Sequence, residues 1–148
     1  MPTVISETTI AAPVERVYEI ARDIERFPEF MDDVAEVEIL EQTEDRQVSR
    51  WAAVVREFNR HIRWTEEDFW NAEERTCDFS MLEGDFSEYS GTWRFEADGE
   101  GTRATLVLNY AYNVPLIGAL IQKVLQKKTQ ANCDGMLAGI KSEAENGG

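Results

Sequence analysis

A chain of 148 residues with 43% hydrophobic content can build one sizeable core and is too short for two ordinary ones, so positions 1–148 are read as a single domain. Its 29 acidic against 15 basic residues leave a net charge of −14, which repels phosphate backbones and anionic surfaces and sets nucleic acid aside as a partner. Two cysteines and one histidine without ligand spacing give no metal site and no sign of a cofactor; Cys77 and Cys133 read as buried thiols.

No apolar run approaches the roughly eighteen residues that would insert stably into a membrane, and no leader pattern opens the chain, so a cytoplasmic protein is expected. A homodimer stays open. All four lysines, Lys123, Lys127, Lys128 and Lys141, fall near the C-terminus, as a basic patch or as a solvated helix face.

In chain order, Val4 to Ile10 is a short β-branched strand that stops at Pro13, which can open a helix. Val14, Val17, Tyr18 and Ala21 recur at helical spacing. Asp23 is the expected N-cap of a second short helical piece, Ile24 to Phe30, kinked at Pro28. Its Phe27 and Phe30, with Met31, either plug the end of the core or form a gate.

Six strands follow, Val34–Gln42, Gln47–Phe58, His61–Trp70, Arg75–Leu82, Phe86–Ala97 and Thr102–Tyr112, joined by short turns of which Asp98-Gly99-Glu100-Gly101 is the plainest. Short connections mean antiparallel neighbours. Pro115 to Ala144 then reads as one helix, long enough for about 45 Å. Its first half is apolar around much of its circumference and predicts cover by the sheet or a cavity wall. Gly118, Gly135 and Gly139 within it either allow close approach or leave room for a ligand.

A strongly twisted sheet with one helix across its concave face leaves a gap where side chains do not meet. Alternation predicts who lines it: Phe27, Phe30 and Met31 at one end, Leu120 and Val124 on the helix, and Trp51, Trp64, Phe79, Met81, Tyr89, Trp93, Leu108, Tyr110 and Tyr112 on the strands. Glu66 and Asp68 share a face with Trp64. Either both acids point inward, where burial demands pairing or protonation, or a bulge or the sheet end leaves them in water. Arg50 or Arg56 is a possible partner for them, and His61 is expected on the opposite face. No nucleophile elbow or phosphate loop is present.

The stretch APVERVYEIARDIERFPEF, Ala12 to Phe30, resembles the helix-grip domains related to START and the birch-pollen allergen, in particular the polyketide cyclase/dehydrase and coenzyme Q-binding groups. EGDFSEYSGTWRFEADGEGTRATLVLNYAYNVPLIGALI, Glu83 to Ile121, is most similar to the coenzyme Q-binding group. The resemblance implies an α+β helix-grip fold: a curved seven-stranded antiparallel sheet wrapped around a long C-terminal helix, with two short helices between the first two strands and a deep cavity for a hydrophobic ligand. Aromatases of this fold use a serine and an arginine after a tryptophan; here those positions match Glu66 and Asp68, and a tyrosine they use falls at Val34, so their catalytic residues do not carry over.

The leading expectation is carriage of a hydrophobic small molecule such as a quinone, isoprenoid, lipid or polyketide. The alternative is a cyclase or dehydratase in which Glu66 and Asp68 act as acid and base and Tyr110 or Tyr112 donates to an enolate. A ribosome-associated interaction module, known among coenzyme Q-like relatives, is disfavoured by the charge.

Overall fold

The computed structural model describes residues 3–55, 60–112 and 119–146. Strand β1 (Thr3–Ile10) leads through helix α1 (Val14–Arg22), a 3-10 turn (Ile24–Arg26) and the one-turn helix α2 (Phe27–Phe30) into β2 (Val34–Gln42), β3 (Arg46–Val55), β4 (Arg60–Asn71), β5 (Thr76–Gly84), β6 (Phe86–Asp98) and β7 (Gly101–Tyr112). Helix α3 (Ala119–Asn146) completes the fold. The strands form one sheet in the order β1-β7-β6-β5-β4-β3-β2, antiparallel throughout, as short turns between consecutive strands require. Only β1 is out of sequence order, and the α1–α2 excursion carries the chain from it to the far edge.

Two turns show why their residues stand there. Gly99 adopts φ 63° between the paired Asp98 and Gly101, a conformation glycine takes without the Cβ penalty. Gly84 lies against the backbone of β4, where an added Cβ would stand 2.6 Å from Trp64 Cα, beside a register shift between Thr65 and Glu66.

Helix α1 buries Val17, Tyr18 and Ala21, the expected stripe. Pro13 occupies its N-cap position, and Asp23 precedes the 3-10 turn without capping it through its side chain. The predicted kink at Pro28 is the junction of that turn with α2, where proline tolerates the missing N–H in the first turn.

Helix α3 lies along edge strand β1 and ties it down with side-chain bonds. Gln130 Nε2 donates to Ile5 O at 3.1 Å and Lys141 Nζ to Thr9 O at 2.7 Å, while the Ser6 hydroxyl donates to Asp134. These contacts occupy backbone acceptors that an open edge would offer to another chain. Near the end of the helix, Arg16 Nε donates to Ala144 O at 2.8 Å and Arg26 pairs with Glu143 at 3.0 Å.

The inward stripe of α3 is Leu125, Thr129, Cys133, Leu137, Ile140 and Ala144, with Met136 half-buried beside it. In the described part of the first half, Leu125 and Thr129 are buried and Gln122, Lys123, Gln126 and Lys127 face solvent, while Val124, expected as a wall residue, is exposed as well. Pro115 and Gly118, expected at its start, lie outside the described residues, as do Arg56 and Phe58.

Gly139 packs where a Cβ would sit 2.6 Å from Phe30 O, whereas Gly135 has nothing within 4 Å of that position. Replacing Gly139 by Ala is expected to push α3 off α2 and lower the urea midpoint by the equivalent of about 1–3 kcal/mol. Gly135→Ala is expected to raise stability by up to about 1 kcal/mol through helix propensity alone. Equal shifts of the same sign would show that the helix does not seat on α2 this closely.

Candidate functional site

Period-two alternation on β4 puts Ile62, Trp64, Glu66, Asp68 and Trp70 on the buried side while His61, Arg63 and Phe69 face solvent. The acids therefore go inward with the tryptophans: Glu66 is 5% and Asp68 2% exposed. Across the ladder, Ser49 of β3 opposes Glu66 and Gln47 opposes Asp68, both fully buried. Each indole N–H of this face finds an acceptor in the layer. Trp51 donates to Ser49 at 2.8 Å, Trp64 to Glu66 at 2.7 Å and Trp70 to Gln47 at 2.9 Å.

Arg50 does not reach the pair. Arg50 is exposed and pairs with Glu38, and Arg56 lies outside the described residues. Burial, then the negative charge of Asp68 and a hydrogen bond to it, push Glu66 well above the ordinary carboxylate range; the Trp64 N–H opposes this weakly. Asp68 is raised too, by burial, with the bond from Glu66 working the other way. Both shifts favour the protonated form, more strongly at Glu66, which also accepts from the Trp64 indole. Asp68 Oδ1 is buried and has no hydrogen-bond partner among the described residues.

Above this polar layer, between the sheet and the middle of α3, is a cavity of about 60 Å³. Its walls include Trp51, Trp64, Phe86, Tyr89 and Leu108 from the sheet and Thr129, Asn132, Cys133 and Met136 from the helix. Trp51 and Trp64 stack with centroids 5.7 Å apart and planes 10° apart, and Tyr89 leans on Trp64 at 4.9 Å and on Phe86 at 4.6 Å. Asp33, Val34, Asn132 and Met136 also belong to a groove of about 330 Å³ between the α2–β2 turn and α3, so cavity and groove adjoin. The groove lies within the range of roughly 300–1,000 Å³ usual for small-molecule sites.

The structure brings Trp51, Trp64, Tyr89 and Leu108 of the expected set to the cavity, and Phe30 and Met31 to the groove. Phe27 is buried behind them, edge-on to Trp51 at 5.7 Å. Phe79 stands behind Tyr89 at 5.6 Å, and Trp93 stacks on Phe95 in the solid core. Met81 is half-buried opposite Glu66. Tyr110 is buried next to Thr129, its phenol raised by burial against the bond from that threonine. Val124 is 39% exposed and lines neither space, because the helix turns Leu125 and Thr129 inward instead. The side chains of Tyr112 and Leu120 lie outside the described residues.

Glu66, Asp68 and Tyr110 are not lining residues; Trp64 stands between the carboxyl pair and the cavity. Of the lining residues missed from sequence, Thr129, Cys133 and Met136 sit on the second apolar stripe of α3, which carried the needed signal, while Asp33, Val34, Ala53, Ile62, Phe86 and Asn132 were missed as well. Cys133 is a poor nucleophile there, its thiol pushed up to about 12 by burial. Among the described residues, no group of three or more His, Cys, Asp or Glu is arranged to hold a metal, and no helix is long and apolar enough to cross a membrane.

A curled antiparallel sheet closed by a long helix over an apolar cavity defines a helix-grip protein of the START type. The chain belongs to the polyketide cyclase/dehydrase and lipid transport family, which it matches over residues 10–137. It is 38% identical to TTHA0849 from Thermus thermophilus, whose crystal structure superposes with TM-score 0.91 over 97% of both chains. The ZhuI aromatase/cyclase from Streptomyces sp. R1128 shares the fold at 21% identity, with TM-score 0.81 over 99% of this chain and 98% of that one. The ribosome association toxin RatA of Pseudomonas aeruginosa is 26% identical over 87% of this chain and 88% of its own.

The raised carboxyl pair makes stability depend on pH with a definite sign. A carboxyl whose folded pKa lies above its unfolded value of about 4.3 binds more proton in the native state. Its contribution is present below that value and is lost as pH rises through the raised folded range. Glu66→Gln keeps an acceptor for Trp64 and removes this charge. The variant is expected to gain on wild type steadily as pH rises from about 4 to about 8 in paired urea titrations. Parallel curves for the two proteins would mean that Glu66 is already ionised in the native state.

Proposed function

We propose that the protein binds and carries a small, mainly apolar molecule with a flat ring, of the quinone, isoprenoid, lipid or polyketide kind. The aromatic cavity continuing into the groove beside α2 carries this reading. Stacked indoles on one wall and a tyrosine leaning across them suit a planar ring, which gains dispersion and edge contacts there. Asn132 and Thr129 sit where a single polar substituent of such a molecule would need partners. Family membership supports the hydrophobic ligand class.

A specific observation favours a second reading. The carboxyls of Glu66 and Asp68, both shifted toward the protonated form, lie one side chain away from the cavity, as an acid and base for cyclisation or dehydration would. In this arrangement Trp64 must swing aside before either carboxyl meets substrate. Turnover of a poly-β-ketone mimic by wild type, unchanged in Glu66→Gln and Asp68→Asn, would dismiss it.

For carriage, the test is to fill the space without disturbing the fold. Ala53 lines the cavity and is half-buried. Ala53→Val is expected to change stability by less than about 1.5 kcal/mol. Its affinity for the neutral fluorophore Nile red should fall about tenfold, a change of about 1.4 kcal/mol. Native mass spectrometry of the wild type should show a co-purified small molecule that the variant holds less well. A wild type that binds no apolar probe and carries nothing would sink the carriage reading.

A further inference from the structure

We propose that the exposed face of α3 that carries Lys123, Val124 and Lys127 is a reversible docking surface for an anionic lipid bilayer. The charge of this chain is segregated along its length. Residues 101–133 hold Arg103, Lys123, Lys127 and Lys128 and no acid, so all 29 acidic residues lie outside that run. The net charge of −14 therefore comes from the rest of the sequence, of which Asp32 and Asp33 adjoin this helix at Asn132 on its cavity side.

The fold presents the cations rather than hiding them. Lys123 and Lys127 are exposed, one helical turn apart, with the 39% exposed Val124 between them and the half-buried Lys128 following. Neither Lys123 nor Lys127 has an ion-pair partner among the described residues, whereas Lys141, farther along the same helix, pairs with Glu145 at 2.9 Å. Cations flanking an exposed apolar side chain on one helix face match the headgroup boundary of a bilayer, where charge meets anionic lipid and the apolar group enters below it. The acidic body is repelled by the same surface, so attraction and repulsion together leave one orientation.

A membrane suits this patch better than a nucleic acid. The helix face offers lysines and a valine, without the arginine forks or stacking rings that hold nucleic acid, and a phosphate backbone long enough to cross the molecule would run onto the acidic body. Thr129, the next inward residue after Leu125, already lines the cavity, so docking would bring the cavity-forming part of α3 to the lipid surface. With no described helix able to span a bilayer, such attachment is peripheral.

Sedimentation of the full chain with vesicles tests the proposal. Wild type is expected to partition onto equimolar phosphatidylserine and phosphatidylcholine at low salt, to leave phosphatidylcholine alone, and to release as salt is raised. Removing two charges in Lys123→Gln/Lys127→Gln is expected to lower the partition coefficient about 25-fold, at about fivefold per lysine. Circular dichroism and Nile red binding in solution should not change, so this result stands apart from any failure of the cavity reading. No partition of wild type at low salt, equal partition onto neutral vesicles, or unaltered binding of the double variant would overturn the proposal. Binding to single-stranded RNA that the same substitutions abolish, without binding to vesicles, would overturn it in favour of nucleic acid.

Discussion

The alternation of β4 is the constraint on which the interior depends. Trp64 and Trp70 are too large and apolar to face water, and burying them obliges Glu66 and Asp68 to follow, since residues two apart in a strand share a side. Two charges cannot stay separate at that depth, and no guanidinium reaches them among the described residues. Burial and the neighbouring negative charge favour the protonated form of Glu66, and the Trp64 indole donates one hydrogen bond to it. Ser49 and Gln47 on β3 extend the same solution along the ladder, giving the indole N–H groups of Trp51 and Trp70 acceptors. The result is a polar seam inside an otherwise apolar core, satisfied except at Asp68 Oδ1 among the described residues.

That seam also shapes the cavity. Trp64 is held by Glu66 on one edge and by stacking on Trp51, so its ring is fixed as a wall. Opposite it, α3 presents the short side chains of Thr129 and Cys133, which do not reach across to the rings. A rigid aromatic wall facing small helix residues leaves a void, whereas farther along the helix Leu137 and Ile140 fill the space completely. Cavity and solid core are thus two outcomes of side-chain size along one helix stripe.

Much of the architecture was legible in the sequence because it rests on signals of short range. Strand boundaries followed from turn residues, the antiparallel order from short connections, and the inward faces from strict alternation. The helix was harder. Its two apolar stripes overlap, and sequence reading took Val124 of the first as a wall residue; the structure exposes Val124 and brings Thr129, Cys133 and Met136 of the second to the cavity. Trp93 and Phe79 were legible as inward but not as core rather than lining, since that depends on which rings the sheet's curl brings together. The direction of Glu66 and Asp68 was undecidable from pattern alone, because a bulge reverses a face, and one does occur at Thr65/Glu66 on the β5 side.

That bulge explains how the pair survives in place. The β3–β4 ladder is continuous through these residues, so β4 keeps its register against Ser49 and Gln47, and the irregularity is absorbed entirely by β5. Gly84, lacking a side chain, lets β5 close against the backbone at Trp64 on the far side of the shift. The shift therefore lets β5 bend around the carboxyl pair without turning it out. Had the extra residue fallen in β4 instead, the tryptophans and acids would have parted to opposite faces, and the core would have lost either its wall or its carboxyl pair.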